Sequence, residues 1–236
     1  MNERDLPLGI HHVTAMTSDV VKNYEFFTEV LGMRLVKKTV NQDDIHTYHT
    51  YYGDDTGSPG TAMTFFDFPN NPKGIKGTNA ITRTSFRVPN DASLEYYQER
   101  FAKFDVKHEA ITTEFGKKVL RFWDFDEQAY QLISDENNVG MKPGTPWKKG
   151  PVPEKFAIYG LGPVEITVSY FNDFKEIFEE LLSFEEIAQE GNRYLLEVGE
   201  KGNGAQVVLI EDATQNIAQQ GYGEVRGPDQ FPVRQV

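Results

Sequence analysis

One order of elements, a strand followed by a helix and three further strands, is written three times along these 236 residues, and that repetition constrains the fold more than any single motif. In the first copy "GIHHVTAM" is a strand candidate and "TSD" at 17–19 supplies helix-capping residues. Val20, Tyr24, Phe27 and Leu31 then fall on one helical face, and Gly32 stands where a helix is expected to stop. "MRLVKKTV", "HTYHTYYGD" and "TAMTFFDF" read as the three strands after it.

In the second copy "AITRTSFRV" leads through "PNDAS" to Leu94, Tyr97 and Phe101 at helical spacing. "VKHEAIT", "KKVLRFWDF" and "AYQLISD" complete it. In the third, "GPVEITVSY" precedes a cap at Asn172–Asp173, a face of Phe174, Ile177 and Leu181, and the strands "FEEIAQE", "NRYLLEVG" and "AQVVLIED". The units run over 8–68, 78–135 and 159–212, with a turn-rich linker at 136–158. "QQGYGEV" resembles the approach to a fourth first strand, but "RGPDQFPVRQV" does not read as one, so 213–236 is expected to be an aberrant tail in place of a fourth unit. The expected class is α+β: tandem βαβββ modules, three present and the fourth missing, that curl into cup-shaped half barrels. A module that lacks its partner is expected to expose an apolar sheet face, which a homodimer would bury.

Composition removes several chemistries. The chain has no cysteine, hence no disulfide, thiolate metal site or cysteine nucleophile. No apolar run is long enough to span a bilayer, and "MNERDLPLG" has no leader pattern. A net charge of -12 argues against nucleic acid or an anionic membrane as partner. A cytoplasmic location is expected. No phosphate-binding glycine loop or GxSxG elbow is present; "GEKGNGA" reads as a hairpin turn.

Two of the five histidines, His11 and His12, stand side by side at the first strand. Side chains alternate on a strand, so only one of them is expected to point to a given side. Imidazole ligates borderline metals, and it also serves as an ordinary core or surface group; the pair alone leaves both readings open. "GIHHVTA", "YYGDDTGSPGT", "GLGPVEITV" and "EGNRYLLEVGE" together resemble the glyoxalase or vicinal-oxygen-chelate superfamily, and within it the ring-cleaving, hydroquinone-type dioxygenases, over about residues 8 to 225.

That resemblance implies an enzyme in which two His and one Glu hold Fe(II) facially, leaving positions for a phenol and O₂. By it, His12 is a metal ligand, His11 an acid or base beside it, and Thr14 a small polar neighbour of the substrate. His49 and Tyr51 alternate to one face and are expected to line the same cup. The partners implied are a small aromatic substrate and O₂. The family's second His and its Glu belong to the fourth module: Arg226 and Gly227 stand where paired histidines are expected. Glu165 falls at the position of His12 in the third unit and Gln131 near the Glu position in the second, both read as structural. Two further readings stay open, a metal-free small-molecule binding protein of the same fold and an inactive truncated product.

Overall fold

The structure, a computed structural model, describes residues 7–41, 45–68 and 70–225. Within them the strand-helix-three-strand order recurs three times. The first unit comprises β1 (His12–Met16), α1 (Val20–Glu25), β2 (Arg34–Val40), β3 (Tyr48–Gly53) and β4 (Ala62–Asp67). The second comprises β5 (Ala80–Val88), α2 (Asp91–Lys103), β6 (Thr112–Glu114), β7 (Lys117–Trp123) and β8 (Ala129–Ser134). The third comprises β9 (Gly160–Val168), α3 (Phe171–Glu176), β10 (Glu185–Glu190), β11 (Arg193–Glu197) and β12 (Gln206–Glu211).

In each unit the first strand pairs parallel with the last, and the remaining ladders are antiparallel: β1 lies along β4, β5 along β8, β9 along β12. The helix supplies the crossover that a parallel pair requires. The second and third units join through an antiparallel β5–β9 ladder into one eight-stranded sheet. The first unit keeps a four-stranded sheet of its own, in the order β1-β4-β3-β2. Beyond β4, β1 meets a single antiparallel bridge, Ala15 to Val225. Arg226 and Gly227 lie outside the described residues.

Two helix starts follow the sequence. Asp19 accepts from the amides of Val21 and Lys22 (2.9 and 3.1 Å), and Asn90 from that of Ser93 (3.1 Å). The third does not: α3 begins at Phe171, and its cap residue, Tyr170, makes no side-chain capping bond. The expected face of α2 is inside, with Leu94, Tyr97 and Phe101 fully buried. The other two hold in part: Phe27 and Leu31 are fully buried and Phe174 packs against the core. α1 runs into a π-helical turn at Phe26–Val30 and α3 into one at Ile177–Leu181. The extra residue per turn rotates the side chains around each helix axis. Tyr24 is therefore 43% exposed while Phe26 and Phe27 face inward; Ile177 and Leu181 are 47% and 60% exposed while Phe178 is buried. Gly32 does end the first helix, at φ +73°, and a side chain there would strike Val152 of the linker.

Alternation then sorts each sheet. On sheet 1, the four-stranded sheet, the inner face carries Val13, Ala15, Tyr52, Met63 and Phe65, all buried in a core shared with Phe86, Leu120, Phe122, Tyr130 and Leu132 of the large sheet. Phe27 lies between them, 4.8 Å from Tyr52, 4.9 Å from Phe65, 6.0 Å from Tyr130 and 6.3 Å from Phe86 by ring centroids. α1 and α2 are tied by Tyr97 Oη donating to the Leu31 carbonyl (2.7 Å) and Arg100 Nε to that of Val30 (2.8 Å). The first module thus covers its apolar face with α1 and the second module. Among the described residues the expected exposed apolar face is not found: the outward face carries His12, Thr14, Thr64, His49 and Tyr51, with Met16 and Phe66 buried beside them. Phe27→Ala is expected to cost about 3–5 kcal/mol in urea unfolding, because the ring touches both sheets and neither can close over the gap alone.

Candidate functional site

Register places five polar side chains on the outward, concave face of sheet 1. Thr14 of β1 lies opposite Thr64 of β4, Tyr51 of β3 opposite Thr64, and His49 opposite Phe66. Residues two apart on a strand share a face, so His12 joins Thr14, and His49 joins Tyr51. Their atoms connect. Tyr51 Oη is 2.8 Å from His49 Nδ1, His49 Nε2 is 3.2 Å from Thr64 Oγ1, and Thr64 Oγ1 is 2.9 Å from Thr14 Oγ1. A polar chain thus crosses the cup from β3 to β1. The His49 ring lies between Phe66 and Tyr51, with centroids 3.9 and 4.1 Å away, and Lys37 Nζ stands 5.2 Å from the Tyr51 ring.

Electrostatics keep this chain uncharged. Burial lowers the pKa of His49 to about 4, and the nearby His12 and Lys37 add to it by repulsion. Burial likewise raises Tyr51. A neutral imidazole donates from one nitrogen and accepts at the other, so Tyr51 and Thr64 play opposite roles toward His49.

His11 departs from simple alternation. β1 starts only at His12, and the His11 carbonyl accepts from the Gly60 amide (2.8 Å) instead of joining the ladder. Both histidines consequently meet at the rim: Nδ1 to Nδ1 is 3.1 Å, with the rings edge to face at 81°. At that distance one nitrogen carries the proton and the other accepts it. Burial, then repulsion from His11, lowers the pKa of His12. The "GDDTGSPG" stretch fixes this rim. Buried Asp54 accepts from the amides of Thr56 (3.1 Å), Ser58 (2.9 Å) and Thr145 (2.9 Å) and from Ser58 Oγ (2.9 Å). Burial pushes its carboxyl up, but those bonds outweigh it and hold the pKa below the usual carboxylate value. The loop so held ends at Gly60, whose amide reaches His11 and whose carbonyl accepts from Leu161 (2.8 Å).

The large sheet has a matching outward face with different chemistry. Glu165 of β9, which stands in the third unit where His12 stands in the first, is the register partner of Arg83 of β5, and the two form a buried ion pair at 3.2 Å. Arg193 bridges Glu165 (2.6 Å) and Glu114 (2.7 Å), and Arg121 reaches Glu114 (2.5 Å). Gln131 is buried beside this network. Guanidinium groups offer a metal no lone pair, so this cup is closed by ion pairs. Among the described residues no three His, Asp or Glu come together as a metal site. His12 is therefore one imidazole without the second imidazole and carboxylate of a facial triad, and the described residues do not by themselves fit such a centre.

Two cup residues escaped the sequence reading. Thr64 joins the two halves of the polar chain, and Asp54 holds the rim. Aligning "AMTFFD" with "AYQLIS" sets Thr64 against Gln131, which is the signal that finds Thr64.

The fold and this site define a polar cup on the first of three βαβββ units. The chain belongs to the Glyoxalase/Bleomycin resistance protein/Dioxygenase superfamily, which residues 9–132 match. It is 41% identical over 222 residues to "Putative ring-cleaving dioxygenase MhqA" of Bacillus subtilis, covering 92% of this chain and 70% of that protein. It is 27% identical over 222 residues to "Chlorohydroquinone/hydroquinone 1,2-dioxygenase" of Sphingobium indicum, covering 92% of this chain and 68% of the relative. A crystal structure described as "putative dioxygenase" from Bacillus subtilis superposes with a TM-score of 0.82 at 29% identity, covering 94% of this chain and 69% of that one. Glyoxalase I from Zea mays shares the fold, with a TM-score of 0.65 at 14% identity over 90% of this chain and 72% of its own. No helix among the described residues is long and apolar enough to cross a membrane.

The His49 ring is expected to titrate in an NMR pH series with a midpoint near 4. An unfolded imidazole takes up its proton near pH 6.5, before the folded one does. This group therefore favours folding above about pH 6.5, and that contribution is lost as pH falls toward 4.

Proposed function

We propose that the concave face of sheet 1 is the phenol-handling half of a ring-cleaving dioxygenase acting on hydroquinone- or catechol-like substrates. The observation that carries this reading is the polar chain Tyr51–His49–Thr64–Thr14, on the same face as His12, in a chain 41% identical to a protein named as a ring-cleaving dioxygenase. Fe(II), when bound, would lower a phenol's pKa and hold it beside O₂. His12 is assigned as one ligand; all five histidines lie among the described residues and none completes a triad with it, so the other donors would have to come from outside this sequence.

The remaining side chains of the face bind and orient the ring and handle its proton. The Phe66–His49–Tyr51 stack gives the cup an aromatic wall against which a planar ring can lie. Thr14 and Thr64, buried and bonded to each other, would have to exchange that bond for one to a substrate's ring hydroxyl. His49, held neutral, keeps the Tyr51–Thr64 link polar but uncharged. His11 is assigned as the base that takes a phenol's proton at the rim, which requires its Nδ1 to leave the contact with His12 Nδ1 so that a lone pair is free. Asp54 acts at a distance, by fixing the loop that holds the His11 carbonyl.

One observation favours a second reading, a metal-free binding protein of the same fold: no triad forms among the described residues, while the aromatic wall is intact. Oxygen uptake and product analysis of the whole chain with hydroquinone, with and without added Fe(II), separate the two. Dioxygenase action predicts uptake that requires Fe(II), yields a ring-opened product and disappears in His12→Ala. Saturable hydroquinone binding that ignores both Fe(II) and His12→Ala, with no uptake, overturns it in favour of the binding protein.

A further inference from the structure

The strand order of sheet 1 puts β2 at one edge of the cup, and alternation divides its side chains between the two sides of the sheet. Lys37 is the register partner of Tyr51, Tyr51 of Thr64, and Thr64 of Thr14. These four residues therefore stand in one row across the concave face. Lys38 turns to the opposite side, where its Nζ lies 4.0 Å from the Tyr48 ring centroid. The register shifts between Leu35 and Lys37, and this bulge brings Arg34, the partner of Gly53, to the concave side as well.

The two cations of β2 on that side differ in what they meet. Arg34 is tied to the rim, with Nη1 donating to the Asp55 carbonyl. Lys37 is exposed, and among the described residues it has neither an ion pair nor a hydrogen bond. Its Nζ stands 5.2 Å from the Tyr51 ring centroid, so the side chain leans from the edge strand over its β3 neighbour. The charge is felt on the face: after burial and His12, Lys37 is the third cause that lowers the His49 pKa. His12 and Lys37 stand on opposite edge strands, with the Phe66–His49–Tyr51 wall between them.

The large sheet supplies the contrast. There Arg83, Arg121 and Arg193 each meet a carboxylate, Glu165 or Glu114. On the concave side of sheet 1 no strand residue is a carboxylate. The positive charge beside the aromatic wall thus has no counterpart among the described residues, and a ligand can supply one.

We propose that Lys37 sets substrate specificity by selecting phenols that carry a carboxylate on the ring. The inference rests on the reading of this face as the phenol site and deepens it. With the ring against the wall and its hydroxyl toward β1, a carboxylate on the side nearer β2 meets the Lys37 ammonium. An ammonium is a point charge on a flexible stem, so it follows the carboxylate to more than one ring position. An uncharged substituent of the same shape gains nothing from it.

The probes are hydroquinone, gentisate (hydroquinone with one ring carboxylate) and gentisamide, in which an uncharged carboxamide replaces that carboxylate. Each is titrated into the full chain and followed by NMR shifts of the His49 ring. Gentisate is expected to bind about three- to tenfold more tightly than gentisamide at low salt. That preference should shrink in about 0.5 M sodium chloride. Lys37→Met keeps an apolar stem over Tyr51 and should bring the ratio of the two affinities to about one, whereas Lys37→Arg should preserve it; Lys37→Gln replaces the Met variant if that one does not fold. Hydroquinone that shifts His49 while gentisate binds no more tightly than gentisamide, or a preference that survives loss of the Lys37 charge, overturns the role of Lys37 and leaves the phenol site standing. No saturable His49 shift with any of the three overturns both.

Discussion

The packing of Phe27 between two sheets is the constraint on which the remaining structure hangs. Its ring reaches Tyr52 and Phe65 on one side and Phe86 and Tyr130 on the other, so the apolar faces of both sheets are turned toward the same layer. Strand alternation leaves no freedom after that. Once Val13 and Ala15 face inward, His12 and Thr14 must face out, and a one-residue slip would exchange the two sets. The polar cup is thus a consequence of burying aromatic rings. The π-helical turn that aims Phe27 costs the regularity of α1, and α3 repeats the device to bury Phe178.

The same scaffold carries two cups with opposed electrostatics. In the first, partly buried imidazoles are kept neutral by desolvation and by one another, which preserves the lone pairs that ligate metals and accept protons. In the second, the position that corresponds to His12 carries Glu165, set opposite Arg83, and the charges neutralise in pairs. Breaking one of those pairs would strand a buried charge, which ties the second cup to stability. The first cup contributes hydrogen bonds and stacking, with Thr14 and Thr64 buried and His12, His49 and Tyr51 half-buried.

Much of this was legible in the sequence because local patterns determine it. The thrice-repeated order of elements, the caps at Asp19 and Asn90, the buried face of α2 and the stop at Gly32 all depend on residues within a few positions of each other. The departures depend on distant partners. Tyr24 looks like a core residue, but the helix that carries it passes into a π-helical turn and leaves it 43% exposed. "VKHEAIT" reads as a strand, but only Thr112–Glu114 finds a ladder, with His108 making one bridge to Phe122. His11 looks like a strand residue until Gly60, nearly fifty positions away, takes its carbonyl. Thr64 has no motif of its own; its place in the polar chain comes from pairing with β1 and β3 together. The resemblance carried by "GIHHVTA" and "YYGDDTGSPGT" reached the family, whereas the link from Asp54 to the histidine rim needed the folded loop.

The central claim is that the concave face of sheet 1, with His12 at its rim, is where a phenol and a metal meet this chain. An anaerobic crystal structure of the chain soaked with Fe(II) and hydroquinone tests it most directly. The account predicts metal density at a ring nitrogen of His12 and a phenol ring stacked along the His49–Tyr51 wall, within hydrogen-bond reach of Thr14 or Thr64. Metal or phenol bound elsewhere, with this face empty, would contradict it.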